Sequence, residues 1–203
     1  MSRLTEEQYN EIAKTVTICP VSEFDFNGIK TASFSCGAAA EYTAFLFEDA
    51  VELDKRCVSK TFLIIHNKTN ELVGYFSLAA DTVKLTLEEK QFADLSEVAF
   101  KSLPAVKLGK LAINKNLSSN AKRRGYGSFV LDIVDTYAFA MVEAGVACRF
   151  VTVDADIEYD PDTVKFYEKN GFVLNLSRKI RPSDKTVSMR RDIFRQADGE
   201  NIW

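Results

Sequence analysis

The sequence predicts an α/β fold: a single mixed central β-sheet flanked by helices, with a parallel strand-helix-strand unit in its second half. Three observations predict it. Residues 61–67 (TFLIIHN) and 71–81 (ELVGYFSLAAD) are β-rich runs separated by Lys68-Thr69-Asn70, the pattern of an antiparallel hairpin. Apolar residues at 129, 130, 133, 134, 137, 140, 141 and 144 follow a 3.6-residue period, so a helix runs from Phe129 to a stop at Gly145. That helix lies between a strand at about 105–113 and a buried strand at 147–155 (ACRFVTVDA). Such a unit is right-handed and parallel, with its ligand site at the carboxyl ends of the strands.

The remaining elements follow in chain order. Thr5 and Gln8 make a capping-box pattern that opens a short amphipathic helix through about Val16. Tyr42, Phe45, Leu46, Asp49/Ala50 and Leu53 have helical spacing, which predicts a helix from about Gly37 to Arg56. After the hairpin, LPAVKLGKLAIN alternates apolar and basic residues behind Pro104 and reads as a strand. Asp160-Pro161 starts a short helix that Asn170-Gly171 stops, and FVLNL (172–176) with KTVSMRRDIF (185–194) closes the chain as a strand pair. No internal repeat or low-complexity tract interrupts this order. The expected organisation is one domain over 1–203, with an N-terminal extension (1–33), a core (34–193) and a C-terminal tail (194–203).

Composition narrows the function classes. With 203 residues, 46% hydrophobic and 27% charged, the chain is an ordinary globular one rather than disordered or fibrous. It has no apolar run of about eighteen residues to span a bilayer. Its start, MSRLTEEQYNEIAK, carries acidic residues where a secretion signal needs an apolar segment, so a cytoplasmic protein with no membrane partner is expected. Cys19, Cys36, Cys57 and Cys148 form no CxxC pair, which predicts reduced, mostly buried thiols and no metal site. Charge is uneven: residues 1–100 hold 9 Lys and Arg against 16 Asp and Glu, so the second half is the basic one. Lys101 to Arg124 carries seven cations and no carboxylate, a stretch that either attracts a polyanion or forms a solvated face.

Within that stretch Lys122-Arg123-Arg124-Gly125-Tyr126-Gly127-Ser128 stands directly before the long helix. A helix N terminus presents unpaired N–H groups and about half a positive charge, and glycine lets an anion approach that backbone without a Cβ in the way. Three cations around a bound pyrophosphate complete one reading; a flexible turn with a solvated basic rim is the other.

Lys122-x-x-Gly125-x-Gly127 resembles the acetyl-coenzyme A loop of the Gcn5-related N-acetyltransferases (GNAT), Gln/Arg-x-x-Gly-x-Gly/Ala, with lysine at the first position. Arg123 or Arg124 can take the first-position role with a small shift of the loop. Val164 to Phe172 (VKFYEKNGF) is similar to the same family's helix-to-strand signature, an aromatic-Tyr pair before Gly-Phe. Phe34-Ser35-Cys36-Gly37, Val73-Gly74-Tyr75-Phe76 and Leu103-Pro104-Ala105-Val106 look like the branch that includes bacterial toxins acetylating the amino group of aminoacyl-tRNA.

The resemblance implies a GNAT fold and acetyl transfer from acetyl-coenzyme A to a primary amine by direct attack. It implies a cofactor site made of Leu111, Ala112 and Ile113, on the strand before the loop, and of Lys122, Arg123, Arg124, Gly125, Tyr126, Gly127 and Ser128. The N–H of Ala112 or Ile113 is the implied oxyanion donor, and losing such a donor costs about 3 kcal/mol in other enzymes. Tyr167 is the implied general acid, since a phenol with a pKa near 10 stays protonated at neutral pH; the plainer reading makes Phe166 and Tyr167 core aromatics. A general base is open: Asp154, Asp156 and Glu97 are candidates, each equally a capping or solvated carboxylate. His66, the only histidine, is expected at the surface near a turn, which disfavours a Ser-His-Asp hydrolase. The acceptor is expected to be a small-molecule or protein amine. One alternative is aminoacyl-tRNA, held through the basic segment 178–195, which has Arg178, Lys179, Arg181, Lys185, Arg190, Arg191 and Arg195 against Asp184 and Asp192. Another is an acyl-coenzyme A binding module without turnover. A homodimer and an antitoxin are the protein partners left open.

Overall fold

The computed structural model describes residues 4–23 and 34–195; the rest of the predicted N-terminal extension and C-terminal tail lies outside the described residues. Its strands, β1 (Val16–Pro20), β2 (Lys60–His66), β3 (Leu72–Lys84), β4 (Ser102–Ile113), β5 (Phe150–Asp156), β6 (Val173–Leu174) and β7 (Thr186–Asp192), form one mixed seven-stranded sheet in the order β1-β2-β3-β4-β5-β7-β6, with helices flanking it. The chain divides into two compact units. One comprises 4–79 and 109–131; the other, within the described residues, comprises 80–108 and 132–195.

In the first unit, α1 (Glu6–Ala13) begins with the predicted capping box, in which Thr5 and Gln8 bond reciprocally. It ends three residues earlier than its periodicity predicts. Val16, Thr17 and Ile18 are β-branched and pair antiparallel with β2, so Val16 opens strand β1 (Val16–Pro20) instead of closing a helix. The predicted helix over 37–56 is split into α2 (Ala40–Ala44), a π-helical turn (Phe45–Asp49) and α3 (Ala50–Lys55). In that turn the N–H of Ala50 bonds back five residues to Phe45. The wider turn buries both Leu46 and Ala50 in a core with Leu63, Leu72, Tyr75 and Ala112. The hairpin forms as predicted from β2 (Lys60–His66) and β3 (Leu72–Lys84). Gly74 of β3 has a steric reason: a Cβ there would stand 2.3 Å from the carbonyl oxygen of Ala112.

The second unit contains α4 (Leu87–Phe92), which was not predicted although Thr86 and Glu89 form the same capping box as Thr5 and Gln8. β4 (Ser102–Ile113) pairs in parallel with β5 (Phe150–Asp156) from Ala105↔Phe150 to Leu108↔Val153. The intervening α5 (Tyr126–Glu143) starts at Tyr126, three residues before the predicted start, and stops before Gly145. After α6 (Thr163–Lys169), the closing pair is unequal: β6 is only Val173–Leu174, while β7 (Thr186–Asp192) pairs antiparallel with β5 on one side and β6 on the other.

Two arginines of β7 are core residues. Successive strand side chains point to opposite faces. Arg190 Nη1 bonds Glu89 Oε1 at 2.5 Å and the carbonyl of Leu174 at 2.7 Å. Arg191 Nη2 bonds Asp135 Oδ1 at 2.5 Å, and its Nη1 bonds the carbonyl of Asn170. Burial pulls the Arg190 guanidinium below its ordinary pKa, against the opposing pull of Glu89. These two cations are therefore removed from the predicted surface for a nucleic acid.

Candidate cofactor and catalytic sites

The loop ahead of α5 is built from three sides within the first unit. Buried Glu71 receives the N–H of Ser118 at 3.0 Å and its hydroxyl at 2.6 Å, which anchors the loop's start. Buried Asn114, directly after β4, donates to the Leu72 carbonyl and accepts the N–H groups of Ser35 and Asn116. Tyr9 of α1 packs on Phe129 with ring centroids 5.0 Å apart.

Gly125 joins the loop to α5 with φ +97°, a conformation that side chains rarely adopt. A Cβ there would also meet Leu4 and Ile12 at 3.1 and 3.4 Å. The first helical bond of α5 runs from the N–H of Phe129 to the Gly125 carbonyl at 2.9 Å. The N–H groups of Tyr126, Gly127 and Ser128 precede it and have no partner inside the helix, and glycine at the cap position offers no side chain to satisfy them. Three consecutive donors at the positive end of an 18-residue helix form a cradle suited to an anion.

The predicted cations of this loop differ from one another. Arg123 Nη2 is tied to Glu11 of α1 at 3.2 Å. Lys122 and Arg124 are exposed and make no ion pair among the described residues. The Tyr126 hydroxyl points inward and donates to the Ala121 carbonyl at 2.9 Å, and burial pushes its pKa up. Only the backbone of Tyr126 suits a ligand. Two strand cations are also partnered: Lys107 with Asp154 at 2.6 Å, and Lys110 with Glu41 at 3.5 Å and with the face of Tyr42, 4.3 Å from its centroid.

Leu111, Ala112 and Ile113 are the last three residues of β4 before Asn114 and lie in the same unit as the loop. Ala112 is buried. The parallel register of β4 ends at Leu108, so the backbone of residues 109–113 lies beyond that ladder.

In the second unit, Tyr167 is a buried residue of α6. Its ring meets Phe166 and Phe172 edge to face, with centroids 5.1 and 5.2 Å away, and Arg191 lies over the other aromatic of that pair, Phe172, at 4.7 Å. Tyr167 is thus packed among aromatics, as the plainer reading expects.

Two of the three candidate bases have structural uses. Asp154 is held by Lys107 and by Arg178 at 3.5 Å. Asp156 accepts the N–H of Glu158 at 3.0 Å, and Glu97 is exposed. His66, expected at the surface, is buried: the Thr69 N–H and hydroxyl both reach its Nδ1, at 3.3 and 2.9 Å. All four cysteines are free, Cys57 being the exposed one, and burial pushes up the pKa of Cys19, Cys36 and Cys148. Among the described residues no group of His, Cys, Asp and Glu could hold a metal, and no helix is long and apolar enough to cross a membrane.

Sequence reasoning missed Glu71, Ser118, Asn114 and Glu11, which hold the loop. Asn114 had a signal, a polar side chain ending an apolar strand; Glu11, 112 positions before Arg123, had none.

No family model and no curated protein matches the sequence. The structure is similar to a crystal structure of a tyrosine-to-phenylalanine mutant of KacT, with TM-score 0.65 and 19% identity over 86% of this chain and 94% of that one. It is similar to AtaT complexed with acetyl-methionyl-tRNAfMet, with TM-score 0.63 and 19% identity over 85% of this chain and 93% of that one. AtaTR bound with AcCoA has TM-score 0.59 and 18% identity over 86% of this chain and 92% of that one. At such identities the likeness is one of fold: the chain has the GNAT-like α/β fold that its loop motif predicts.

Proposed function

We propose that the protein is an acetyl-coenzyme A-dependent N-acetyltransferase that passes an acetyl group to a primary amine by direct attack. The observation that carries this reading is the start of α5, a helix N terminus preceded by Gly125, which has no side chain to cap it and is held left-handed against Ile12 of α1, in a chain of this fold. Its N–H groups at 126–128, with Lys122 and Arg124 exposed beside them in sequence, fit a diphosphate.

When bound, acetyl-coenzyme A supplies the thioester carbon that the amine attacks. The protein's residues bind, orient and donate. The backbone of 111–113 aligns the acyl arm, and the N–H of Ala112 or Ile113 donates to the carbonyl oxygen as it gains charge. Tyr167 holds a proton on its phenol at neutral pH and gives it to the departing sulfur. Changing Tyr167 to Phe is expected to slow thiol release roughly 100- to 10,000-fold while leaving coenzyme A affinity unchanged. Unchanged turnover removes Tyr167 from this role, and binding without turnover for any amine favours the non-catalytic module.

For the acceptor, the AtaT structure containing acetyl-methionyl-tRNAfMet favours a second reading, the amino group of an aminoacyl-tRNA. Charged tRNA incubated with the protein and labelled acetyl-coenzyme A should then become labelled. Label entering small amines but not charged tRNA contradicts it. This reading carries an antitoxin and a homodimer with it as proposed partners, both readable from affinity capture and light scattering of the full chain.

A further inference from the structure

We propose that the loop between β6 and β7 builds a separate anion site, which takes a phosphate-bearing group of nucleotide size. A cavity of about 400 Å³ opens there, floored by Asp154 of β5 with Thr186 and Ser188 of β7, and rimmed by Arg178, Lys179 and Lys185. Its volume lies in the range of small-molecule pockets and exceeds what a bare phosphate fills.

The charges favour an anion. Asp154 is already offset by Lys107 at 2.6 Å and Arg178 at 3.5 Å, and Asp184 is engaged by the N–H of Arg181 at 2.8 Å. Lys185 pairs with Glu158 at 2.7 Å, but both side chains are solvated, with 71% and 36% exposure. Exposed pairs of this kind add little stability, so the rim cations turn to a phosphate at little cost. The fork of Arg178 suits two phosphate oxygens, and the hydroxyls of Thr186 and Ser188 supply further donors. Arg190 and Arg191 turn inward to Glu89 and Asp135, so apart from Arg195, which lies over the Phe92 ring, the remaining cations of this segment are in its loop.

That the phosphate belongs to the amine acceptor rests on the acetyltransferase reading; the site itself does not. The test is calorimetric titration of the full chain, saturated with coenzyme A, with inorganic phosphate, adenosine monophosphate and a short unstructured RNA. The same titrations are made on a variant carrying Arg178→Ala, Lys179→Ala and Lys185→Ala, with its fold checked by thermal melting. Wild type is expected to bind at least one probe, and the variant to bind it at least tenfold more weakly. Binding of phosphate or the mononucleotide identifies a small phosphorylated group. Binding of RNA alone identifies a polymer backbone, with the salt slope falling by about one per cation removed. The proposal is overturned if no probe binds or if the variant binds as wild type does. Failure of coenzyme A itself to bind sinks the acetyltransferase reading and leaves this outcome readable.

Discussion

Lys122-Arg123-Arg124, ahead of α5, and Arg190-Arg191, within β7, are both runs of consecutive cations in the basic half of the chain. In the loop, Lys122 and Arg124 face water, and one of the three cations, Arg123, is tied to α1. In the strand, the pleat sends Arg190 and Arg191 to opposite faces, where Glu89 and Asp135 meet them at side-chain exposures of 7% and 1% for the two arginines. The difference teaches that positive charge along a sequence becomes a ligand-attracting field only where its backbone setting leaves it exposed to solvent. A buried cation with its own carboxylate contributes structure instead.

The sharpest break of that comparison is by truncation. Arg191→Ala removes the buried guanidinium that Asp135 meets and should cost about 3–5 kcal/mol in urea unfolding. Arg124→Ala should change stability by no more than about 0.5 kcal/mol. Similar losses for both contradict the division drawn here.

Between these lies Gly125→Ala, which strains the backbone at φ +97° and presses on Leu4 and Ile12. It should cost about 1–3 kcal/mol of stability and weaken coenzyme A binding in calorimetry. A fully stable variant with unchanged affinity argues against the cradle. Smaller again, Lys122→Ala and Arg124→Ala should each weaken coenzyme A binding about two- to fivefold, an effect that fades at high salt. Arg123→Ala should do less, because Glu11 already engages it.

The smallest effect comes from a mixed case, Asp54 with Lys60, whose carboxylate is buried and whose ammonium is half exposed. Burial pushes the Asp54 pKa up, but hydrogen bonds from Lys60, the Thr61 N–H and Ser22 outweigh it and hold the pKa below its ordinary value. A depressed folded pKa contributes stability that is full above about pH 4, the unfolded value, and lost as pH falls through the folded one. Asp54→Asn should flatten unfolding free energy against pH below about 4; an unchanged acid slope counts against this assignment.

Local signals were readable where one element decides its own shape. Thr5 with Gln8, the hairpin at Lys68-Thr69-Asn70 and the glycines around α5 each act within a few residues. Signals failed where a distant partner decides. Val16 continues the helical spacing of Ile12, yet pairing with His66 in β2 makes it a strand residue. Arg190 and Arg191 read as surface charge because Glu89 and Asp135 are 101 and 56 positions away. The loop's glycines announced a cradle, while the buried Glu71 that helps hold it gave no sign and Asn114 gave only a polar side chain ending an apolar strand. α4 was missed with its signal in plain view, since Thr86 and Glu89 repeat the box at Thr5.

The central claim is that a diphosphate lies on the backbone at the start of α5. Amide chemical shifts of the isotopically labelled full chain, followed while coenzyme A is added, test it most directly. Large, saturable shifts are expected at Tyr126, Gly127 and Ser128. Saturable binding that leaves those three amides unmoved, or no binding at all by the folded protein, would contradict it.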